Sequence, residues 1–268
     1  MDSGFSSGYR ARPLRSPPFE RAATAMITLR HVHKAFGRRP ILQGVDLTLP
    51  RGTLTFLGGR SGAGKSVLSR CAVGLLRADQ GVIKIDGTEI GRLSESALNR
   101  LRSRVAYVVQ GSALIDWLSA VENLEVPLTR ALGLSRAQAR QRACQALDDV
   151  GLGDQRDQKP QALSGGDRKL LAIARALALA PEAIFYDEPT TSLDPWAARR
   201  VDDLIRAHAR QGTTSVVVSH DLTSIRRVAE RVALLEEGRI AFNGTAEAFF
   251  AAENTHPAVH RFFHQPEA

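Results

Sequence analysis

The stretch Gly59, Arg60, Ser61, Gly62, Ala63, Gly64, Lys65, Ser66 gathers three glycines, a lysine and two hydroxyls where what reads as a helix starts. That composition suits a phosphate cradle. Glycines let successive backbone N–H groups turn inward around phosphate oxygens, the following helix adds its positive N-terminal end, Lys65 reaches the outer phosphates and the Ser66 hydroxyl is placed for a Mg²⁺ ion. The loop needs a strand before it and a helix after it. GTLTFLG upstream alternates and is rich in β-forming residues, while KSVLSRCAVGLL downstream carries Val67, Leu68, Cys71 and Leu75 at helical spacing.

A second group of charged residues follows an apolar run, AIFYDEP. There Asp187, at the end of a buried strand, can hold Mg²⁺ through water, and Glu188 can orient a water against a γ-phosphate; a solvated charge pair or a helix cap is the competing reading. Between these two stretches lies ALSGGDRKLLAIARALAL, in which Ser164, Gly165 and Gly166 open another helix. That is a second anion-binding terminus, and one nucleotide does not need two.

The elements that position these groups follow from the chain's texture. Short β-like runs recur at MITLRHV, VDLTL, TLTFL, GVIKID and RVAYVV. From Gly111 to Leu163 the pattern turns helical, with Ser135 as a cap and Ala139, Ala143, Ala146, Leu147 and Val150 on one face. Strands and helices then alternate up to a hairpin at RVALLEEGRIAFNG, which predicts an α/β fold with a mainly parallel sheet, helices on both sides and an inserted helical lobe.

Composition bounds the function classes. The 268 residues can bury a large core, and no apolar run approaches the roughly 20 residues a membrane helix needs. Cys71 and Cys144 are far apart in helix-like contexts, which suits buried thiols in a reducing compartment better than a disulfide or metal framework. The net charge of +8 is partly local, because residues 1–25 carry Arg10, Arg12, Arg15 and Arg21 against Asp2 and Glu20. That segment, rich in Ser, Pro, Gly and Arg, is expected to be a disordered extension, with Met26 as a candidate natural start. The remaining basic excess suits nucleic acid or an anionic membrane face equally well.

Taken in order, these motifs resemble the ATP-binding-cassette (ABC) ATPases across residues 26–268, a P-loop cassette with an antiparallel β subdomain and an inserted helical subdomain at 111–165. The resemblance resolves the doubled anion site: in that family each ATP sits between the phosphate loop of one subunit and the Leu-Ser-Gly-Gly signature of another. It implies a homodimer using ATP and Mg²⁺. Phe36 then matches the adenine-stacking aromatic, with a core role as the alternative. Gly59 to Ser66, with Val67 after them, match the phosphate and Mg²⁺ site, and Gln110 matches the glutamine that touches the metal and the attacking water. Ser164, Gly165 and Gly166 match the signature acting in trans, Asp187 the metal carboxylate, Glu188 the catalytic base, and Asp194 the loop crossing the interface. His220 matches the γ-phosphate switch, with a structural histidine as its alternative. Asp167 departs from the uncharged residue usual after the signature; it reads as a helix-start acid or as a weakener of ATP capture.

Within the family, QGSALIDWLSAVENLEVPL, GKSVL and the tail at 244–268 resemble the Mla/Mce-associated phospholipid ATPases (MlaF-like). That implies an MlaE-like integral-membrane permease partner, accessory subunits, no nucleic acid, and peripheral association with the cytoplasmic face of a bacterial inner membrane. Another ABC importer or exporter, a soluble cassette protein, and an ATP-binding protein without turnover are the alternatives. Trp117 is expected near a permease-docking groove or inside the helical lobe. In the tail, Val259, Phe262 and Phe263 form an apolar stripe expected either on the chain's own sheet or across a subunit interface.

Overall fold

The computed structural model describes residues 25–253 and 255–264, so the expected N-terminal extension lies outside the described residues except for Ala25. In chain order the elements begin with β1 (Ala25–Phe36), β2 (Arg39–Pro50), β3 (Leu54–Gly58), α1 (Lys65–Ala72), β4 (Gln80–Ile85), β5 (Thr88–Glu89), α2 (Glu95–Arg102) and β6 (Val105–Val108). The middle holds α3 (Ala120–Leu132), α4 (Arg136–Asp149) and α5 (Gly165–Leu177). The last part runs β7 (Ala183–Asp187), α6 (Pro195–Arg210), β8 (Thr214–Val218), α7 (Leu222–Val228), β9 (Arg231–Glu236), β10 (Arg239–Thr245), α8 (Ala246–Ala251) and α9 (Pro257–Phe263).

Two sheets result among the described residues: an antiparallel one in the order β2-β1-β4-β5, and a six-stranded one in the order β10-β9-β3-β8-β7-β6. The strands β9, β3, β8, β7 and β6 run parallel and β10 closes the edge antiparallel. Every residue of β3, β7 and β8 is buried, as expected of parallel strands covered on both faces. One core joins that sheet to α3, α4 and α5 through Val121, Leu124, Ala139, Ala143, Leu147 and Leu171.

Local chemistry sets the helix ends. Ser119 and Ser135 each form a reciprocal capping box, with Glu122 and Gln138 respectively. The helix expected to reach Leu75 stops at Ala72. Gly74 then turns through φ 72°, and Leu75 stands 52% exposed. Four charged groups fasten the two sheets together: Arg104 donates to Glu182 (2.7 Å) and Asp86 (2.6 Å), and Arg51 donates to Glu182 (3.0 Å) and Asp86. The tail helix α9 packs on its own chain, with Val259 and Phe262 buried and Phe262 meeting Phe249 at 5.9 Å. No described helix is long and apolar enough to cross a membrane.

Candidate functional site

Parallel strands deliver their C-terminal ends to one edge of a sheet, which is where α/β folds build sites. The loop Gly59–Gly64 leaves β3, His220 follows β8, Asp187 ends β7 with Glu188 next, and Gln110 follows β6. The spatial order β3-β8-β7-β6 therefore lines up phosphate loop, histidine, carboxylates and glutamine along that edge, although the chain meets Gln110 second.

The phosphate loop is held against β9. Gly59 has φ 147°, and a Cβ there would stand 2.3 Å from the Leu235 carbonyl oxygen, so no larger residue fits. Lys65, buried at the start of α1, donates to the carbonyls of Gly59 (2.7 Å) and Arg60 (3.1 Å). Burial lowers its pKa, and the nearby Glu188 and Asp187 carboxylates oppose that shift. The Ser66 hydroxyl donates to Asp187 Oδ1 at 3.0 Å. Val67 lies partly buried in α1 against the core.

Asp187 has a second partner that the sequence did not single out, Tyr107, whose hydroxyl donates to Oδ2 at 2.8 Å. Burial, and then this bond, push the tyrosine pKa up, so the phenol keeps the proton that it donates. Glu188 sits at φ 48°, a left-handed conformation that a non-glycine residue holds only under constraint. The constraints are visible: its N–H donates to Val218 O (3.0 Å), Thr191 Oγ1 donates to Oε2 (2.8 Å), and His220 Nδ1 lies 3.1 Å from Oε1. A water placed beyond Glu188 would find a carboxylate already aimed and a histidine beside it.

The Mg²⁺ expected here fits the donor set. Ser66 and Asp187 present one hydroxyl and one carboxylate side by side, and Mg²⁺ takes one or two carboxylates, keeps several waters and completes its shell with phosphate oxygens. Among the described residues no group of three His, Cys, Asp or Glu side chains forms a metal cage, so Ser66 and Asp187 would leave the rest of the shell to phosphate oxygens, water or a neutral side chain such as Gln110.

Gln110 is exposed just past β6, and its backbone carbonyl accepts from the buried Lys169 of α5. Burial lowers the Lys169 pKa, while Asp187 and Glu188 lie close enough to raise it again. Sequence reasoning passed over Lys169 because a lysine on a helix next to Asp167 and Arg168 looks solvated.

Ser164 lies elsewhere. It caps α5, accepting from Asp167 N (3.1 Å) and donating to Asp167 Oδ2 (2.6 Å), and Arg200 reaches the other carboxylate oxygen at 3.4 Å. Gly165 and Gly166 form the first turn, and a Cβ on Gly166 would meet Ala197 of α6 at 2.9 Å. Asp194 caps α6 by accepting from Trp196 N and Ala197 N. Phe36 ends β1 with its ring 52% exposed and the Lys34 ammonium 5.6 Å from the ring centre, which removes the core reading. Trp117 is 76% exposed, against a place inside the helical lobe, because the buried Asn123 grips the Ile115 backbone at both N (2.8 Å) and O (3.1 Å) and turns the loop outward.

The ABC transporter family matches residues 42–191. The methionine import ATP-binding protein MetN of Rhizobium etli is 38% identical over 89% of this chain, which spans 66% of that relative, just under two thirds. The glutamate/aspartate import ATP-binding protein GltL of Escherichia coli is 38% identical over 84% of this chain and 93% of its own length. Among solved structures, the dimeric post-hydrolysis state of the ATP-binding cassette MJ0796 bound to ADP and Pi superposes with a TM-score of 0.76 at 31% identity, covering 82% of this chain and 99% of that one.

Proposed function

The chain belongs to the ABC transporter family, and on that premise we propose that it is the ATP-hydrolysing subunit of a membrane transporter. One observation carries the reading: Lys65, Ser66, Asp187, Glu188 and His220 converge on one sheet edge, joined by Ser66–Asp187 and Glu188–His220 contacts. In this reading Lys65 and the loop amides bind the phosphates, and Ser66, Asp187 and Gln110 hold Mg²⁺, whose role is to neutralise developing charge on the transferred phosphoryl group. Glu188 orients the attacking water and accepts its proton, while His220 steadies Glu188 and reaches the γ-phosphate. Phe36 offers an exposed face to adenine.

The second anion-binding terminus belongs to another copy of the chain. Ser164, Gly165 and Gly166 face a partner's nucleotide, so two sites form in a head-to-tail homodimer. The dimeric ADP- and Pi-bound cassette supports this arrangement. The working protein docks peripherally on permease subunits at the cytoplasmic face of a bacterial inner membrane. For the cargo, the methionine and glutamate/aspartate import relatives favour an importer of small polar solutes such as amino acids. Phospholipid transport with an MlaE-like permease is the second reading, and it rests on the Gln110-x-Ser112-Ala113-Leu114-x-Asp116 stretch.

Two experiments test this. Mixing Ser164→Arg with Lys65→Ala leaves one hybrid site with both motifs intact, so Mg²⁺-dependent ATPase activity returns in the mixture; continued inactivity of a demonstrated heterodimer refutes a shared site. Isolating the native protein with its membrane partner then separates the cargo readings, because a phospholipid permease in that complex excludes the importer.

A further inference from the structure

One buried charge is left over by the reading above. Lys169 is 7% exposed in the middle of a helix, where an apolar side chain of similar volume would avoid the cost of desolvating an ammonium. Its bond goes to the backbone carbonyl of Gln110, and the Asp187 and Glu188 carboxylates stand close enough to act on its charge. The same helix sends Arg175 to the next carbonyls of that loop, Ala113 O at 2.8 Å and Ser112 O at 3.2 Å. Those two residues, Ser112 and Ala113, hold φ 62° and 45°, two successive left-handed residues without a glycine. Such backbone persists only where its surroundings over-determine it. Two cations of α5 do so here, and Lys169 is the one that grips the expected metal-and-water glutamine itself.

We propose that Lys169 is a positioning residue for ATP hydrolysis, which by holding the Gln110 carbonyl fixes where the Gln110 amide stands relative to Asp187 and Glu188. The inference rests on the functional reading above. Because Ser164 caps α5 and Gly165 and Gly166 form its first turn, the contact also makes the helix that carries the signature the support of the glutamine on the other face of the site.

The test measures two quantities on Lys169→Met, Lys169→Gln and Lys169→Arg in the full chain. The first is steady-state ATPase activity against ATP concentration. Met and Gln, which cannot reach the carbonyl, lower kcat about 10–100-fold, the usual loss when a group orienting a metal ligand is removed, while KM stays within about threefold. Arg, which keeps a donor of sufficient length, restores kcat to within about threefold of the parent. The second is hydrogen exchange of residues 109–118 without nucleotide, which quickens in Met and Gln and not in Arg. Parent-like kcat or parent-like exchange in a folded Met or Gln variant overturns the proposal, and so does a rise in KM with kcat unchanged. If Met does not fold, Gln decides alone. A parent chain without Mg²⁺-dependent turnover defeats the functional reading instead, and the exchange measurement still decides whether Lys169 pins the loop.

Discussion

Replacing Phe262 by alanine tests whether the tail is core or interface. Its ring is 5% exposed, meets Phe249 at 5.9 Å, and lies 3.4 Å from where a Cβ on Gly58 would be, at the last residue of the strand that feeds the phosphate loop. Removing a buried phenyl costs about 3–5 kcal/mol, since the transfer term and the residual cavity add. At about 2–4 °C per kcal/mol for a chain of this size, the melting temperature falls by roughly 6–20 °C. The void opens under Gly58, so the phosphate loop loses part of its backing and the apparent ATP affinity falls with stability. Thermal melting with and without Mg²⁺-ATP, beside sedimentation velocity, reads all of this. A shift below about 3 °C together with lost self-association would refute the reasoning, because the stripe would then belong to another subunit.

Three further outcomes follow from the site. Glu188→Gln keeps ATP binding and abolishes turnover, trapping ATP-bound dimers; a variant that hydrolyses at the parent rate removes Glu188 as the base. Asp167→Asn frees the Ser164 hydroxyl from an anion and lowers KM for ATP about three- to tenfold, the size of one screened charge near the γ-phosphate, whereas an unchanged KM means Arg200 already neutralises it. Hydrogen bonds from Arg104 hold the Glu182 and Asp86 carboxyls below their ordinary range, so these groups stabilise the fold above that range and lose their contribution as pH falls from it down through the lowered folded values. Arg104→Ala therefore flattens the decline in melting temperature between about pH 5 and pH 3, by a modest amount because the network is partly solvated. Melting curves at stepped pH check it, and an unchanged slope counts against the network.

What could be read in advance divides by range. The phosphate loop, the AIFYDEP carboxylates and the Ser164 helix start are local: glycine freedom, strand ends and caps are written in adjacent residues. So are the capping boxes at Ser119 and Ser135. The groups that hold the site reach across the chain. Tyr107 and Asp187 are 80 positions apart, and Lys169 and Gln110 are 59, so no window of periodicity could pair them. Leu75 fitted the helical spacing of α1, but Gly74 ended the helix before it. The apolar stripe of the tail was visible, yet its destination was not, because a helix that must bury one face does not name the surface that covers it.

Among the described residues, the strand that leads to Gln110 has only one neighbour in its sheet. The other groups of the proposed site leave interior strands, each flanked on both sides. The residues between β6 and α5 thus branch from a margin and rejoin beside their own departure point, where Lys169 and Arg175 fasten both ends together. A segment from another member spliced in over residues 114–163 would therefore have to keep the apolar face that Val121, Leu124, Ala139, Ala143 and Leu147 give to the shared core, leaving the outer face of the lobe as the part that can change.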